Sequence, residues 1–307
     1  MNGLIVTGIA PLYGEPKEGV LIDEGLLGMN LEILSEVNES WLHIRMEYGY
    51  EGFIRSCHVR RGSWDEYLGD GCACVRVLKQ QIDVLEKPKV ASLILQTMPQ
   101  GSVLVRKTAK TSALPDEIPT DWTAVVLPDG REGYTKEGYL GPYIPIARSV
   151  PSDETAFRDA VVESALSYEG TAYRWGGKSP QGIDCSGLCA MAYLMNGVVI
   201  WRDAAIKEGF PLREIPFSDI QKGDLLFFPG HVAMYLGGER RLYVHSTAKA
   251  GSDGVDINSL APSDPLFRQD LAEGITACGS LFGGTSAENS PGFRAEAEGA
   301  LHGFVTA

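Results

Sequence analysis

The chain carries an internal repeat at fixed spacing, and that repeat restricts how its first half can fold. Trp41 stands eleven residues before Gly52, and Trp122 stands eleven before Gly133. The matching segments read Tyr48-Gly49-Tyr50-Glu51-Gly52-Phe53 and Asp129-Gly130-Arg131-Glu132-Gly133-Tyr134. Upstream, Leu27-Gly28 leads into Leu31–Leu34 and Gln100-Gly101 into Ser102–Val105, and the second copy has a longer loop at Thr108–Thr120. The surrounding apolar runs are short and rich in β-branched residues: Leu4–Thr7, Leu31–Leu34, Trp41–Ile44, Gly52–Ile54, Val75–Val77, Val103–Val105 and Trp122–Val126. Turn residues separate them and helical periods are lacking, which predicts two small antiparallel barrels over 1–70 and 72–147.

A different pattern follows the proline-containing linker Ile144–Pro151. Ser152-Asp153-Glu154 reads as a helix cap, with Phe157, Val161, Val162, Ala165 and Leu166 at helical spacing behind it. A second helix begins at Cys185. Gly223–Phe228, His231–Leu236 and Leu242–Thr247 then read as consecutive strands. Helices followed by an antiparallel sheet predict an α+β domain over 152–282. Residues 283–307, rich in Gly, Ser, Ala and Glu, read as a C-terminal extension.

Composition removes several function classes. A chain of 307 residues is too long for one small core. Its net charge is −13 without any Lys/Arg cluster, which argues against nucleic acid or an anionic surface as partner. No apolar run approaches a membrane span. The N-terminus lacks a basic segment followed by an apolar one, so a cytoplasmic address is favoured, with export after loss of a leader left open. The six cysteines show no zinc-ligand spacing, so neither metal nor organic cofactor is implied, and mostly reduced thiols are expected. Oligomeric state is not set by any of this.

The chemistry concentrates around Tyr173–Leu188. Glycines and a proline make a loop that ends on Asp184-Cys185-Ser186, and Leu188, Met191, Ala192 and Met195 continue at helical spacing. Asp184 occupies the N-cap position, which puts Cys185 in the first turn. Unpaired N–H groups and the helix dipole there favour the thiolate, the nucleophilic form of cysteine. Cys189, one turn on, reads as a small buried hydrophobe.

A thiolate nucleophile requires a base that takes its proton and returns it to the leaving group. His231 and His245 flank a predicted hairpin whose turn is Gly237-Gly238-Glu239-Arg240. Side chains alternate faces along a strand, so the two imidazoles share a face only if the loop has an odd residue count. A three-residue loop with a bulge achieves this, whereas a two-residue Gly-Glu turn separates them. On the first geometry His231 is the base and His245 orients it. His43, His58 and His302 read as structural.

Taken together, Tyr173-Arg-Trp-Gly-Gly, Asp184-Cys-Ser-Gly-Leu, Gly223-Asp-Leu-Leu-Phe-Phe, His231-Val-Ala-Met-Tyr-Leu-Gly and Val244-His-Ser resemble the NlpC-type cell-wall cysteine peptidases. The resemblance implies a papain-like α+β catalytic domain. The two N-terminal units, each with a strand Trp, a Gly-x-x-Gly turn and a following aromatic, resemble bacterial SH3-like domains. That arrangement is similar to one subgroup, the γ-D-glutamyl-L-diamino acid endopeptidases, which cut murein peptides bearing a free N-terminal L-Ala. By resemblance, Tyr173 and Trp175 match the aromatic pair before the nucleophile, and Ser186 the serine after it. Arg202-Asp203-Ala204 matches a segment whose aspartate binds the substrate ammonium. Tyr173 then supplies a hydroxyl near the oxyanion, and Tyr50 is the first domain's counterpart of a pocket aromatic. A buried carboxylate paired with an ammonium would reject capped termini. Phe53 replaces the tryptophan usual after the second glycine of the first domain, and Tyr48 the usual turn aspartate.

Two other readings stay open on sequence alone. One is a wall-binding protein with a weak or inactive core, and the other an amidase or acyltransferase acting on another amide. Whether the third substrate residue is meso-diaminopimelate or lysine is not written in the sequence.

Overall fold

The computed structural model describes residues 1–69, 71–107, 119–146, 150–249 and 251–283. Most of the longer Thr108–Thr120 loop, part of the linker, and the extension from 284 onward with His302 lie outside the described residues. The chain forms two compact units. One takes in Met1–Tyr143, Ser167–Leu188 and Ser246–Val255; the other takes in Ile144–Leu166, Cys189–His245 and the described part of 256–307.

Within the first unit the sequence repeat becomes two seven-stranded antiparallel sheets. The first sheet contains β1 (Asn2–Ile5), β2 (Ile9–Tyr13), β3 (Leu21–Leu26), β4 (Asn30–Asn38), β5 (Trp41–Met46), β6 (Glu51–Arg55) and β7 (Val59–Arg61), in the order β3-β2-β6-β5-β4-β1-β7. The second contains β8 (Cys72–Val77), β9 (Gln81–Leu85), β10 (Ile94–Pro99), β11 (Val103–Lys107), β12 (Trp122–Val126), β13 (Glu132–Lys136) and β14 (Leu140–Pro142), in the order β10-β9-β13-β12-β11-β8-β14. Strand for strand, the two orders are the same.

The repeated tryptophan has one environment in both copies. Trp41 pairs with Arg55, whose guanidinium lies 5.3 Å from the ring centroid. Trp122 pairs with Lys136, whose ammonium lies 4.3 Å from its ring. Each ring thus carries a cation from the neighbouring strand across its face. Each ladder ends on two edge strands, and no pairing joins those edges among the described residues.

The runs expected as strands coincide with β1, β4, β5, β6, β8, β11 and β12, the first ending two residues early. Strands β2, β3, β7, β9, β10 and β14 are not among the expected runs. In β3 the reason is plain: Asp23 and Glu24 interrupt any apolar alternation, yet both are fully buried. The two sheets are packed on each other through Leu4, Trp64, Val103, Val105 and Val126. Gly28 has a φ of +77°, and a Cβ there would lie 2.0 Å from the Val103 carbonyl oxygen. Only glycine permits that approach.

Helix α1 (Glu154–Leu166) of the second unit starts on Asp153, whose Oδ1 accepts from the Ala156 N–H at 3.0 Å. It buries Phe157, Val161, Val162 and Ala165, as its spacing predicts. In chain order there follow, in the first unit, the short hairpin β15 (Lys178–Ser179) and β16 (Gly182–Ile183) and the start of α2 (Cys185–Met195). The rest of the fold is β17 (Arg213–Ile215), β18 (Leu225–Phe228), β19 (His231–Gly237), β20 (Leu242–Thr247), β21 (Gly254–Ser259), the short helix α3 (Gln269–Ala272) and β22 (Ala277–Ser280). The strands lie in the order β17-β22-β18-β19-β20-β21. Leu226, Phe228, Ala233, Tyr235, Tyr243, Leu260 and Cys278 form the core on one face of this sheet. Helices preceding an antiparallel sheet is the α+β arrangement expected from the sequence. Among the described residues, no helix is long and apolar enough to cross a membrane.

Candidate active site

The loop before Cys185 folds back on the helix start because three glycines let backbone meet backbone. A Cβ on Gly177 would lie 2.4 Å from the Gly182 carbonyl oxygen, and one on Gly187 would lie 2.3 Å from that of Gly177. Asp184 is the cap that the sequence predicts. Its Oδ1 accepts from the Gly187 N–H at 2.6 Å and from the Ser186 hydroxyl at 3.1 Å, while Oδ2 accepts from the Gly176 N–H at 2.8 Å. Such a cap stabilises a helix start by about 1 kcal/mol. Here it also fixes the loop against the helix, with Cys185 as first helical residue, buried at the dipole's positive end.

The neighbouring candidates differ in exposure. Trp175 is 63% exposed and Tyr173 is half-buried, its N–H donating to the Asp253 carbonyl at 3.1 Å. Ser186 is buried, its hydroxyl engaged by the cap. Tyr50 is half-buried. Tyr48, two residues before it and a departure from the usual turn aspartate, is buried and donates its hydroxyl to Asp23.

In the second unit, β19 and β20 bring the two histidines onto one face. Met234 pairs with Val244 and Tyr235 with Tyr243; the register then slips by one, so that Gly237 pairs with Leu242 and Leu236 is bulged out. The loop is therefore four residues plus a bulge rather than the three-residue form, and the segment between Tyr235 and Tyr243 (236–242) is odd. The parity condition is met by another route. Gly237, Gly238 and Arg241 all take positive φ to make the turn.

His231 Nε2 and His245 Nδ1 lie 2.7 Å apart, and His245 Nε2 lies 2.9 Å from Asn258 Oδ1. The carbonyl oxygen of Asn258 can only accept, so His245 carries its proton on Nε2. Its Nδ1 then accepts from His231 Nε2–H, which leaves the lone pair of His231 on Nδ1. Asn258, thirteen residues beyond His245, escaped the sequence reading because nothing local marks it. Burial pushes His231 down to about 3, helped by the charges of His245 and Arg268 and opposed by Asp270. Burial likewise pushes His245 down to about 4, against the bond to Asn258. Both rings are neutral at pH 7, the form in which His231 can receive a proton.

Asp203 lies in the segment after α2. It is exposed while its neighbour Arg202 is buried. Trp201 is held by Phe210, with ring centroids 5.3 Å apart, and by Lys207 at 5.0 Å. Among the described residues, no group of three or more His, Cys, Asp or Glu could hold a metal ion.

Comparison with known proteins places these features. Residues 170–265, which span Tyr173 to Asn258, match the model of the NlpC/P60 family. Dipeptidyl-peptidase 6 of Lysinibacillus sphaericus is 47% identical over 286 residues, covering 92% of this chain and 100% of the relative. Gamma-D-glutamyl-L-lysine dipeptidyl-peptidase of Bacillus subtilis (strain 168) is 33% identical over 130 residues, 39% of this chain and 41% of that protein. In fold, the chain is similar to the crystal structure of an NlpC/P60 family protein from Bacillus cereus ATCC 10987. The TM-score is 0.68 at 19% identity, over 91% of this chain and 98% of that one. A relative matched across its whole length, together with the family's own segment over the cysteine and the paired histidines, makes this chain a cysteine peptidase of the NlpC/P60 family.

Proposed function

We propose that the protein hydrolyses the γ-D-glutamyl–diamino acid bond of short murein peptides that carry a free N-terminal L-Ala. The observation that carries this reading is the His231–His245–Asn258 relay, which orients a neutral imidazole with its lone pair on Nδ1. In the proposed reaction His231 Nδ1 takes the Cys185 proton as Sγ attacks the γ-carbonyl carbon. The C–N bond then breaks, and the same proton goes to the leaving amine. Water hydrolyses the thioester and releases L-Ala-D-Glu. Backbone N–H groups at the start of α2 would meet the oxyanion, because the helix dipole already favours negative charge there. Tyr173, Trp175, Ser186 and Tyr50 are the proposed substrate contacts, and Asp203 the partner of the α-ammonium. Exposed as it is, Asp203 would gain discriminating power only once substrate covers it.

The substrate class is supported by the names of the two relatives, one a dipeptidyl-peptidase and the other a γ-D-glutamyl-L-lysine dipeptidyl-peptidase. The core of 152–282 is proposed as papain-like, and the two repeat sheets over 1–70 and 72–147 as SH3-like domains. The test is mass spectrometry of L-Ala-γ-D-Glu-meso-diaminopimelate, free and N-acetylated, with wild type and Cys185→Ala. The expected result is release of the dipeptide from the free form alone, abolished in the variant. Cleavage of both forms would overturn the role of Asp203. Cleavage of neither would overturn the proposed substrate.

A further inference from the structure

A cluster of buried charge lies where β3 of the first sheet meets the loop 174–178. Asp23 and Glu24 are consecutive on β3 and fully buried, and a cation from the loop meets each of them. Lys178, itself 2% exposed, places Nζ 3.2 Å from Asp23 Oδ2. The same ammonium donates to the Tyr48 hydroxyl, which donates to Asp23, and lies 4.0 Å from the Tyr48 ring centroid. Arg174 Nη1 lies 3.2 Å from Glu24 Oε1, while Glu24 Oε2 accepts the Lys178 backbone N–H at 3.1 Å.

The backbone of the loop is shaped to the same strand. Gly176 takes a φ of +73°, and a Cβ there would lie 2.8 Å from the Leu21 carbonyl oxygen. Gly182 leaves room for the Arg174 stem, which a Cβ would approach to 2.6 Å. Buried ion pairs are a poor means of adding stability, because desolvation offsets most of their attraction. What the buried Lys178–Asp23 pair does well, with the partly exposed Arg174 on Glu24 beside it, is select one register. Arg174 stands between Tyr173 and Trp175, and the Gly176 N–H holds Oδ2 of Asp184, the cap of the helix that begins with Cys185.

We propose that β3 is a positioning element for the reaction: Asp23 and Glu24, acting through Lys178 and Arg174, hold the 174–178 loop in the shape that sets Tyr173, Trp175 and the Asp184 cap. The inference rests on the reading of Cys185 as the nucleophile. It makes the first sheet part of the catalytic apparatus rather than a detachable anchor.

The test compares wild type, Lys178→Met, Lys178→Arg and the double variant Asp23→Asn/Lys178→Met. Three quantities are read: thermal midpoint, kcat and KM on L-Ala-γ-D-Glu-meso-diaminopimelate, and the rate of Cys185 alkylation by iodoacetamide across pH. Lys178→Met is expected to lower kcat/KM by about 100-fold and to change the alkylation profile. Lys178→Arg should restore most of both. The double variant removes both charges of the Lys178–Asp23 pair, so it should regain thermal stability relative to Lys178→Met without regaining activity or the wild-type alkylation profile. Recovery of activity together with stability would overturn the proposal, and so would a Lys178→Met variant with wild-type kinetics. If wild type leaves the peptide intact, the assigned reaction fails by itself. The alkylation profiles then decide the positioning role, and a wild-type profile in the double variant overturns it.

Discussion

The hydroxyl of Ser246 donates a 2.7 Å hydrogen bond to the carbonyl of Ile183, fastening the residue after His245 to the residue two before Cys185. Both residues are buried. Strand β20 therefore does two things in adjacent positions: it presents His245 to His231, and it holds the backbone that leads into the nucleophile's helix. The bond also explains why a hydroxyl residue follows the histidine in a strand otherwise apolar on that face.

Removing this tie has a defined cost. Ser246→Ala takes one of two donors from the Ile183 carbonyl, which keeps the Arg174 N–H at 3.2 Å, and this should destabilise the protein by about 0.5–1.5 kcal/mol. Well below the unfolding transition, kcat/KM should also fall by about tenfold as the loop before Cys185 loosens. Chemical denaturation and steady-state kinetics on one preparation check both. Unchanged values would mean that the bond is incidental.

Asn258 should behave as a tautomer-fixing residue rather than a packing one. Asn258→Leu removes the acceptor at His245 Nε2, and kcat is expected to fall by about 10–100-fold with little change in KM. Asn258→Asp keeps an acceptor there and should retain most of the activity. Nitrogen NMR of the imidazoles would report the tautomer directly, and wild-type spectra in Asn258→Leu would contradict the assignment.

The two histidines also predict a pH dependence of stability. Their ordinary value is 6.5, and in the folded chain they lie at about 3 and about 4. Between those limits the unfolded chain binds protons that the folded chain does not. Stability is therefore complete above pH 6.5 and is lost as pH falls through the window toward 4 and then 3. The double variant His231→Asn/His245→Gln should flatten that part of the curve, measured as unfolding free energy against pH. An equally steep curve in the variant would assign the acid sensitivity to other groups.

Gly187→Ala should be far more damaging than its helical position suggests. Alanine ordinarily favours a helix over glycine by about 1 kcal/mol. Here its Cβ would fall 2.3 Å from the Gly177 carbonyl oxygen, a backbone atom that cannot move aside without shifting the loop. Overpacking of this kind costs about 1–3 kcal/mol and displaces Asp184 with it. A thermal midpoint at or above wild type would show that the loop has room that the structure does not give it.

What sequence alone settled about this protein is local. Asp184 as cap and Cys185 as first helical residue follow from a few neighbouring residues, because a cap is made within one turn. The repeat around Trp41 and Trp122 was equally readable, since a strand and the turn after it form one short-range unit. The histidine pair was legible only as a condition. Strand alternation makes the shared face a question of parity, and the bulge at Leu236 that answers it depends on how the whole hairpin twists. The rest was decided by contacts between residues far apart in the chain. Strand β3 carries no apolar alternation to read, and the cations that let Asp23 and Glu24 be buried, Arg174 and Lys178, arrive from about 150 residues away. A carboxylate in isolation reads as solvent-facing; only the folded chain supplies the partner that lets it be buried.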